Sequence, residues 1–465
     1  MQDNIQIYVD PHGHNDSNNA GSQANPVQTA DKAFSMLPPS WRGSAEIIFA
    51  PGDYEIETDA ISFGMPIGPD ASPLVIRGPY DDLFTITAQA GSDENKVVTT
   101  LDVPAEQLVG AVLTRLSGAG SPTGHAVSIR GNTAGPTVEI SLQQPIGRVE
   151  AGNTFVIQRP AVILRPTKAL NLTSHDGRSP NLSLIGIKFE PAAGAGLNLL
   201  NVRAQCDTCE FSLHKSPPGV DPAVFPILFV HTNARIHGGL ELPDLSPGLP
   251  SRKQAGAYIH SDNPQNVVWA TRGGIFGGHL TFRDITVRVS QGGNLVPHSF
   301  EALSAPVQIL TGGSGLAQVN RDTGQTGWGT AANKARIRNV AGDGLRVFNG
   351  GALNSALGAI HLDISGCTGD GIRLDMGSTA SFGPPGGKDG LVTKGANNGK
   401  FGLNVRNASK ALIGSDDPRD NRDRGPKGGD AFGDVTLEDE PSRLRWSDVR
   451  LPLSNAGMSL VRFNI

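Results

Sequence analysis

The stretch that decides the fold is IRNVAGDGLRV (337–347), which recurs without a gap as ISGCTGDGIRL (364–374), at an offset of 27. Apolar residues, the Gly-Asp-Gly turn and an arginine between two apolar residues coincide in both copies. A shorter third copy, GKFGLNV, which contains Gly402, follows at an offset of 31. Upstream, LIGIKFE (184–190) aligns on CDTCEFS (206–212) at an offset of 22. The chain is therefore built from a strand-and-turn repeat.

A repeat of this length without an intervening helix fits one turn of a wide parallel β-coil. In such a coil each rung stacks about 4.8 Å above the last, and inward side chains form columns. Leucine-rich repeats need a frame that this sequence lacks, and propeller blades are longer, at about 40 residues. We predict an all-β fold, a right-handed parallel β-helix.

Composition agrees with a turn-rich β protein. The 465 residues include 59 Gly and 33 Pro, a density that would interrupt most helices. A net charge of −5 gives no basic footprint for nucleic acid, and we expect no membrane insertion because no long apolar run is present. Three cysteines cannot form a disulfide framework. The opening Met-Gln-Asp-Asn lacks the features of a signal peptide, so none is expected.

The first sixty residues predict a strand, a Gly/Asn-rich loop, a short helix over 27–37 and a second strand over 45–54. One helix ahead of a long β region suggests a cap on the coil. The predicted divisions are 1–60, the N-terminal cap; 61–180, irregular early coils or a small inserted β region; 181–414, regular coils; 415–441, a charged Gly/Pro-rich linker or loop; and 442–465, a C-terminal cap or oligomerisation segment.

The N-terminal segment also resembles a known family. YVDPHGHNDSNNAGSQANPVQTADKAFSML followed by AEIIFAPGDYEIE is similar to the start of pectate-lyase-like β-helix proteins, with matches at Pro26, Thr29, Pro51, Gly52 and Tyr54. That superfamily includes polysaccharide lyases, glycoside hydrolases and phage tailspikes, and this chain is closest in character to tailspikes and other virion-associated β-helix proteins. The resemblance implies the fold and leaves the chemistry open.

The repeat supplies the candidate site. Arg346, Arg373 and Asn404 each lie between two inward apolar residues, so they point outward and are predicted to bind substrate. Asp343 and Asp370 precede the strands, and two carboxylates about 5 Å apart match the spacing of a retaining glycosidase, so they are the predicted catalytic pair. The alternative is that Gly-Asp-Gly is a tight turn whose aspartate binds local backbone amides.

Other residues with possible chemistry give weaker patterns. Three histidines have an aspartate nearby in sequence and could act as general bases, or be ordinary surface or turn histidines: His260, His279 and His361. Cys206 and Cys209 have CxxC spacing with His214 nearby, but no second ligand pair follows, so an inward apolar role for Cys209 is favoured over zinc. The loop 10–16 lacks the ligand spacing of a calcium loop. No metal and no cofactor are expected.

These patterns favour a virion or phage-tail-like surface spike, a homotrimer that recognises a cell-surface or acidic polysaccharide and contacts other particle proteins. Depolymerase activity could accompany that role. The first alternative is a stand-alone polysaccharide lyase or glycoside hydrolase of the same fold. The second is a structural β-helix spacer of a particle, without a ligand. The expected location is the surface of a virion or extracellular particle.

Overall fold

The computed structural model describes most of the chain up to residue 381 and short segments beyond it. The described residues are 4–13, 21–66, 73–118, 124–174, 181–192, 195–214, 227–239, 255–316, 328, 334–354, 360–381, 392–396, 398–399, 403–405, 407, 409–413, 435–437 and 443–446. The chain divides into two units, the first made of Met1–Asp262 with Gly278–Thr281 and the second of Asn263–Gly277 with Phe282–Ile465.

Among its described residues the first unit consists mainly of strands and has one helix, α1 (Ala30–Ser35). Its strands are β1 (Ile5–Val9), β2 (Ser40–Trp41), β3 (Ala45–Phe49), β4 (Gly52–Ile56), β5 (Ala60–Phe63), β6 (Met65–Pro66), β7 (Leu74–Arg77), β8 (Tyr80–Thr87), β9 (Lys96–Val103), β10 (Val112–Ser117), β11 (Ala126–Asn132), β12 (Gly135–Leu142), β13 (Thr154–Pro160), β14 (Val162–Pro166), β15 (Leu170–Ser174), β16 (Asn181–Ile185), β17 (Ile187–Phe189), β18 (Leu197–Leu200), β19 (Arg203–Asp207), β20 (Cys209–Leu213), β21 (Leu228–His231), β22 (Arg235–Gly238) and β23 (Ala257–Ser261).

The second unit is also built of strands. They are β24 (Val267–Ala270), β25 (Ile275–Arg283, whose Gly278–Thr281 belongs to the first unit), β26 (Thr286–Val289), β27 (Asn294–Leu303), β28 (Val307–Leu310), β29 (Ser314–Leu316), β30 (Ala335–Arg338), β31 (Leu345–Phe348), β32 (Ala352–Asn354), β33 (His361–Ser365), β34 (Ile372–Asp375), β35 (Thr379–Ser381), β36 (Val392–Ala396), β37 (Leu403–Val405), β38 (Lys410–Ile413), β39 (Val435–Leu437) and β40 (Arg443–Trp446).

Parallel stacking organises the first unit. Ile7, Ile47, Ile76, Leu184 and Cys206 follow one another in register on β1, β3, β7, β16 and β19. All five side chains are buried, so the column forms part of the core. Leu184 faces Cys206, as the upstream sequence alignment predicts. Long parallel sheets with buried inward columns make this an all-β solenoid, which confirms the predicted fold class; its right-handed sense stays a prediction.

The helix α1 lies inside the segment predicted to be helical. The side chain of Thr29 caps it by accepting a hydrogen bond from the backbone amide of Lys32 at 3.2 Å. Its aromatic side chain, Phe34, contacts Phe49 and Phe63 with ring centroids 6.4 and 6.5 Å apart. That α1 caps the coil stays a prediction. Within the described ranges no helix is long and apolar enough to span a membrane.

An antiparallel sheet interrupts the parallel stack of the first unit. Strands β8 to β13 form this six-stranded sheet in the order β8-β13-β10-β11-β12-β9, around its own apolar cluster. The chain leaves the parallel stack after β7 and returns at β14, which pairs in parallel with β4. The antiparallel sheet contacts the solenoid strands of its unit: Gln143 Nε2 donates to the carbonyl of Leu280 at 2.7 Å, and Ser128 Oγ accepts from the amide of Gly256 at 3.0 Å.

The second unit repeats the parallel arrangement. Val287, Val307, Leu345, Ile372 and Leu403 are in register on β26, β28, β31, β34 and β37. The three copies found in the sequence therefore occupy successive rungs. The predicted segments 415–441 and 442–465 are described only at β39 and β40, which pair in parallel with β37 and β38. Their remaining residues lie outside the described part of the chain.

Candidate functional site

The outward side chains of the repeat stack as the sequence predicts. Arg346 on β31 faces Arg373 on β34, and Arg373 faces Asn404 on β37. About a third of the Arg346 side chain and a fifth of the Arg373 side chain remain exposed, at 33% and 21%. Asn404 is only 2% exposed. The two arginines thus form the accessible part of the predicted binding set.

A carboxylate that the sequence analysis did not single out lies beside the arginines. Asp375, 2% exposed, accepts hydrogen bonds from Nη2 and Nε of Arg373 at 2.8 and 3.2 Å. Its Oδ2 lies 3.9 Å from Nη2 of Arg346, and Asn407 donates to its other oxygen. Burial disfavours charge on Arg373, but the hydrogen bond to Asp375 and the charge of Asp343 outweigh this effect and raise the pKa of Arg373.

The two predicted catalytic aspartates lie at the turns between rungs. Oδ1 of Asp343 accepts a hydrogen bond from the backbone amide of Asp370 at 2.9 Å, and Oδ2 lies 3.5 Å from Nη1 of Arg373. Asp370 is 1% exposed and accepts from Nδ2 of Asn404 at 3.0 Å. Such contacts are typical of the turn role considered as the alternative. The catalytic roles of Asp343 and Asp370 stay predictions.

The row of outward side chains extends beyond the residues found in the sequence. Trp269 on β24 faces Arg288 on β26, Arg288 faces Gln308 on β28, and Gln308 faces Arg346. Nε and Nη2 of Arg288 donate to Oε1 of Gln308 at 3.3 and 3.2 Å, and its Cζ lies 5.5 Å from the centroid of the Trp269 ring. We call the row Trp269, Arg288, Gln308, Arg346 and Arg373 the basic ladder.

A second polar cluster lies in the first unit, around Glu210. Its carboxylate is 3.2 Å from Nη1 of Arg159, 3.4 Å from Nζ of Lys188 and 2.9 Å from Nε2 of His260. Glu210 is 5% exposed, and Arg159 belongs to the antiparallel sheet. Burial disfavours ionisation of Glu210, but the hydrogen bond from His260 and the two cations outweigh it and lower its pKa to about 2.

The histidines singled out by the sequence have different surroundings. His260 binds Glu210, and its ring stacks on Tyr258 at a centroid distance of 4.4 Å. Nδ1 of His214 lies 3.8 Å from Oδ2 of Asp262. His279 is 5% exposed within β25, and the side chain of His361 lies outside the described part of the structure.

The cysteines lie in the core of the first unit. Cys206 and Cys209 are both buried, and Sγ of Cys209 contacts the carbonyl oxygen of Leu184 at 3.1 Å. Burial raises the pKa of the Cys209 thiol well above its usual range, which disfavours the thiolate that a metal requires. Among the described residues no group of three or more His, Cys, Asp or Glu could hold a metal ion. Residues 14–16 of the loop 10–16 lie outside them.

Comparisons with known proteins do not assign the chain to a family. No family model matches the chain, and no curated protein matches it. Among solved structures, it is similar to a glycoside hydrolase at 11% identity and a TM-score of 0.22, covering 96% of this chain and 97% of that chain. It is also similar to the tailspike protein gp49 from Pseudomonas phage LKA1, at 10% identity, coverage of 86% and 75% and a TM-score of 0.17. The tailspike gp61 from Pseudomonas phage phi297 has 10% identity, coverage of 89% and 80% and a TM-score of 0.21. At these scores the likenesses carry no argument, so the fold and the site rest on the strand register and the contacts above.

Proposed function

We propose that this chain recognises polysaccharide through the basic ladder, as part of a virion or phage-tail-like surface spike. The observation that carries the proposal is the stacking of Arg346 on Arg373 in register, with both side chains partly exposed beside the buried carboxylate of Asp375. Because Asp375 binds Arg373 through two hydrogen bonds, it fixes that side chain while leaving other donors for a ligand.

Arg346 has the most capacity to bind a ligand. A third of its side chain is exposed, and its contact with Asp375 is long, at 3.9 Å. The guanidinium lies over the ring of Phe348 at 4.3 Å from the centroid, which restricts its orientation. A planar, oriented guanidinium with unused donors suits the hydroxyl, carboxylate and sulfate groups of polysaccharides.

The architecture supports a role on an exposed particle. In a parallel solenoid the backbone amides and carbonyls of each rung pair with the rungs above and below. Such a stack resists local opening, so it suits a protein exposed to proteases. A homotrimer at the virion surface belongs to this proposal. Mass measured by light scattering on the purified chain tests it: three times 48.6 kDa is the expected result, and a monomer would contradict the trimer.

Binding to a panel of immobilised acidic and neutral polysaccharides tests recognition itself. We expect retention on at least one polymer, and weaker retention of Arg346→Gln on that polymer. Arg148→Gln is a matched control, because Arg148 is a 76% exposed arginine of the first unit and does not belong to the ladder. If none of the polymers retains the chain, or if Arg346→Gln is retained as well as the unsubstituted chain, the proposal is wrong.

A second candidate function is cleavage of the polysaccharide, and His260 favours it. The ionised carboxylate of Glu210 can only accept, so Nε2 of His260 carries a proton in this hydrogen bond, and in the corresponding neutral tautomer Nδ1 has the lone pair. Nδ1 makes no hydrogen bond with the described residues, and 22% of the side chain is exposed. A histidine held by a buried carboxylate in this way can serve as a general base.

Turnover assays separate the catalytic possibilities. After incubation with polysaccharide, new reducing ends report cleavage, and absorbance of unsaturated uronate reports a lyase. If His260 is the base, His260→Asn abolishes turnover and Asp343→Asn does not. If the aspartates at the turns are catalytic, Asp343→Asn abolishes it. A chain that neither binds nor cleaves any polymer would favour the structural spacer.

A further inference from the structure

We propose that Cys206 and Cys209 form a disulfide bond, and that the redox conditions during folding decide whether it forms. The inference goes beyond ligand recognition, because it concerns a covalent link within the first unit. Their CxxC spacing lacks the second ligand pair that a zinc site needs, and neither cysteine takes part in the proposed binding. The structure gives the spacing another use, because it brings both thiols to the inner side of one corner of the solenoid.

The chain turns sharply between the two cysteines. Cys206 is the penultimate residue of β19, and Cys209 is the first residue of β20. Between the strands Thr208 has a φ of +51°, a left-handed backbone conformation that redirects the chain. Both cysteines are buried, and the thiol of Cys209 hydrogen-bonds with that of Cys206. The two sulfur atoms therefore already face one another before any bond forms.

The preceding rung shows that packing alone does not require cysteine at this corner. The alignment at an offset of 22 places Leu184 opposite Cys206 and Ile187 opposite Cys209. Both aliphatic side chains are buried, as the cysteines are. Aliphatic side chains thus fill the same corner one rung earlier, and the two cysteines add the capacity to form a cross-link.

The contacts of the two thiols permit the bond. On the strands that follow, Gly238 pairs with Cys206 and Ala257 pairs with Cys209, and neither has a side chain long enough to separate the sulfur atoms. Sγ of Cys209 contacts the carbonyl oxygen of Leu184 at 3.1 Å. A thiol is a weak hydrogen-bond donor, so the loss of this contact on oxidation has little effect on stability.

The bond forms by two thiol–disulfide exchanges with a small disulfide such as oxidised glutathione. In the first, the thiolate of one cysteine attacks a glutathione sulfur and the bond between the two glutathiones breaks. One glutathione leaves as its thiolate and takes up the proton that the cysteine released. In the second, the other cysteine, also as its thiolate, attacks the cysteine sulfur of this mixed disulfide, and the second glutathione leaves in the same way. The two cysteines lose two electrons and two protons, and oxidised glutathione is reduced to two molecules of thiol.

Burial makes folding the stage at which the bond forms. Cys206 is 0% exposed and Cys209 is 2% exposed, so neither thiol can meet glutathione once the rungs are stacked. Burial and the neighbouring Cys206 also raise the pKa of the Cys209 thiol well above its usual range, which suppresses the attacking thiolate in the folded chain. Folded chains should therefore keep the state, dithiol or disulfide, in which they folded.

The disulfide would reinforce the corner to which the antiparallel sheet is attached. The amide of Gly186 donates to the carbonyl of Asp207 at 3.0 Å, and the amide of Gly78 donates to the carbonyl of Ile185 at 2.9 Å. These hydrogen bonds link three stacked corners, and the antiparallel sheet begins at Tyr80, two residues after Gly78. The hydroxyl of Tyr80 also donates to Oδ2 of Asp207 at 3.3 Å. Oxidation should therefore raise the temperature at which the first unit unfolds.

The test counts thiols in the full chain after synthesis in a cell-free system that contains either reduced or oxidised glutathione. Each product is denatured, alkylated with iodoacetamide and measured by mass spectrometry. We expect all three cysteines to be alkylated after reducing synthesis, and only Cys367 after oxidising synthesis. Peptide mapping should then recover Cys206 joined to Cys209. Cys367 is the internal control, because it is buried like the pair and belongs to the second unit.

Three alkylated cysteines after oxidising synthesis, or glutathione left on either member of the pair, would overturn the proposal. This count uses the unsubstituted chain, so it stands even where a variant fails to fold. Cys209→Ala should abolish the difference in unfolding temperature between the two preparations, whereas Cys367→Ala should keep it. A difference that persists in Cys209→Ala would show that the bond does not cause it.

A second incubation tests the role of burial. The folded, reduced chain is exposed to oxidised glutathione, with and without denaturant, and its thiols are counted over time. We expect the folded chain to keep all three thiols while the denatured chain loses them. Loss of two thiols from the folded chain at the rate seen in denaturant would contradict the conclusion that folding fixes the redox state of the pair.

Discussion

Arg346 is the residue on which recognition depends most directly, because it is the more exposed of the two arginines and its ion-pair contact is long. Replacing Arg346 removes a positive charge that would contact the ligand, and it disturbs few contacts within the protein. We expect Arg346→Gln to weaken binding of an acidic polysaccharide about tenfold, the loss typical of one hydrogen bond to a charged group. Titration calorimetry measures this change.

The control for Arg346→Gln is the midpoint temperature of its thermal unfolding, which we expect to lie close to that of the unsubstituted chain. Arg373→Gln provides the contrast. It would leave the buried carboxylate of Asp375 without its main partner, so it should lower the midpoint as well as the affinity. Equal loss of stability in the two variants would contradict the distinction drawn between the two arginines.

The ionisation of Glu210 should make the stability of the first unit depend on pH. Its pKa falls from 4.5 to about 2 in the folded chain, so the unfolded chain binds a proton more readily. The resulting stabilisation, roughly 3 kcal/mol, is therefore fully present above pH 4.5 and is lost as the pH falls from there towards 2. Thermal unfolding monitored by circular dichroism at several pH values tests this effect.

A variant isolates the contribution of that carboxylate. Glu210→Gln removes the titrating group and leaves Arg159 without its anion, while Lys188 keeps Glu190, so the variant should be less stable at neutral pH. Its loss of stability between pH 4.5 and 2 should also be smaller than that of the unsubstituted chain. The same acid-induced loss in both proteins would show that other carboxylates cause it.

At the scale of single residues, the sequence predicts the positions of only those side chains that belong to the repeat. Arg346, Arg373 and Asn404 could be placed because two copies and a third fragment align, and their register follows from the alignment. Asp375 carried a usable signal, since it lies two residues after Arg373 and thus on the same outward face. The Glu210 cluster carried a partial signal: the upstream alignment places Lys188 opposite Glu210, whereas only the folded chain brings Arg159 and His260 to it.

At the scale of elements, the turns between strands depend on glycines that allow close stacking. A Cβ on Gly351 would overlap the carbonyl oxygen of Ile309, whereas a Cβ on its neighbour Gly350 would meet no atom within 4 Å. Gly350 has a φ of +76°, so alanine there costs about 1 kcal/mol through its backbone alone. We expect Gly351→Ala to cost more, about 2–3 kcal/mol, because the rungs must separate.

Chemical denaturation of the two single variants compares these costs directly. The pair is matched in residue type, in location and in the atoms added, and differs in backbone conformation and in available space. A larger loss for Gly350→Ala than for Gly351→Ala would mean that the turns tolerate displacement of a rung more easily than the described contacts indicate.

The elements also show where sequence patterns stop being informative. Inward residues such as Leu345 and Ile372 lie one repeat apart where the copies align, so the solenoid could be predicted from them. Strands β8 to β13 pair antiparallel, and their partners depend on chain reversals rather than on a repeat. The region 61–180 therefore shows no period. Trp269 and Arg288 were missed because the interval between them is shorter than the repeat found downstream.

At the scale of the whole molecule, the net charge of the chain predicts how salt affects ligand binding to the basic ladder. The chain has a net charge of −5, so an acidic polymer is repelled except where the exposed guanidinium groups concentrate positive charge. Raising the salt concentration should therefore weaken binding of an acidic polysaccharide, because screening acts on exposed charges. Binding of a neutral polymer should be insensitive to salt, and retention on an affinity column at increasing salt distinguishes the two cases.

The most direct test of the account is equilibrium binding of polygalacturonate and of its carboxyl-reduced, neutral counterpart to the full chain. The two polymers share a backbone and differ in charge, so the comparison isolates the exposed guanidinium groups of the basic ladder. We expect polygalacturonate to bind and the neutral polymer to bind about tenfold more weakly. Equal binding of the two polymers, or preference for the neutral one, would contradict the account.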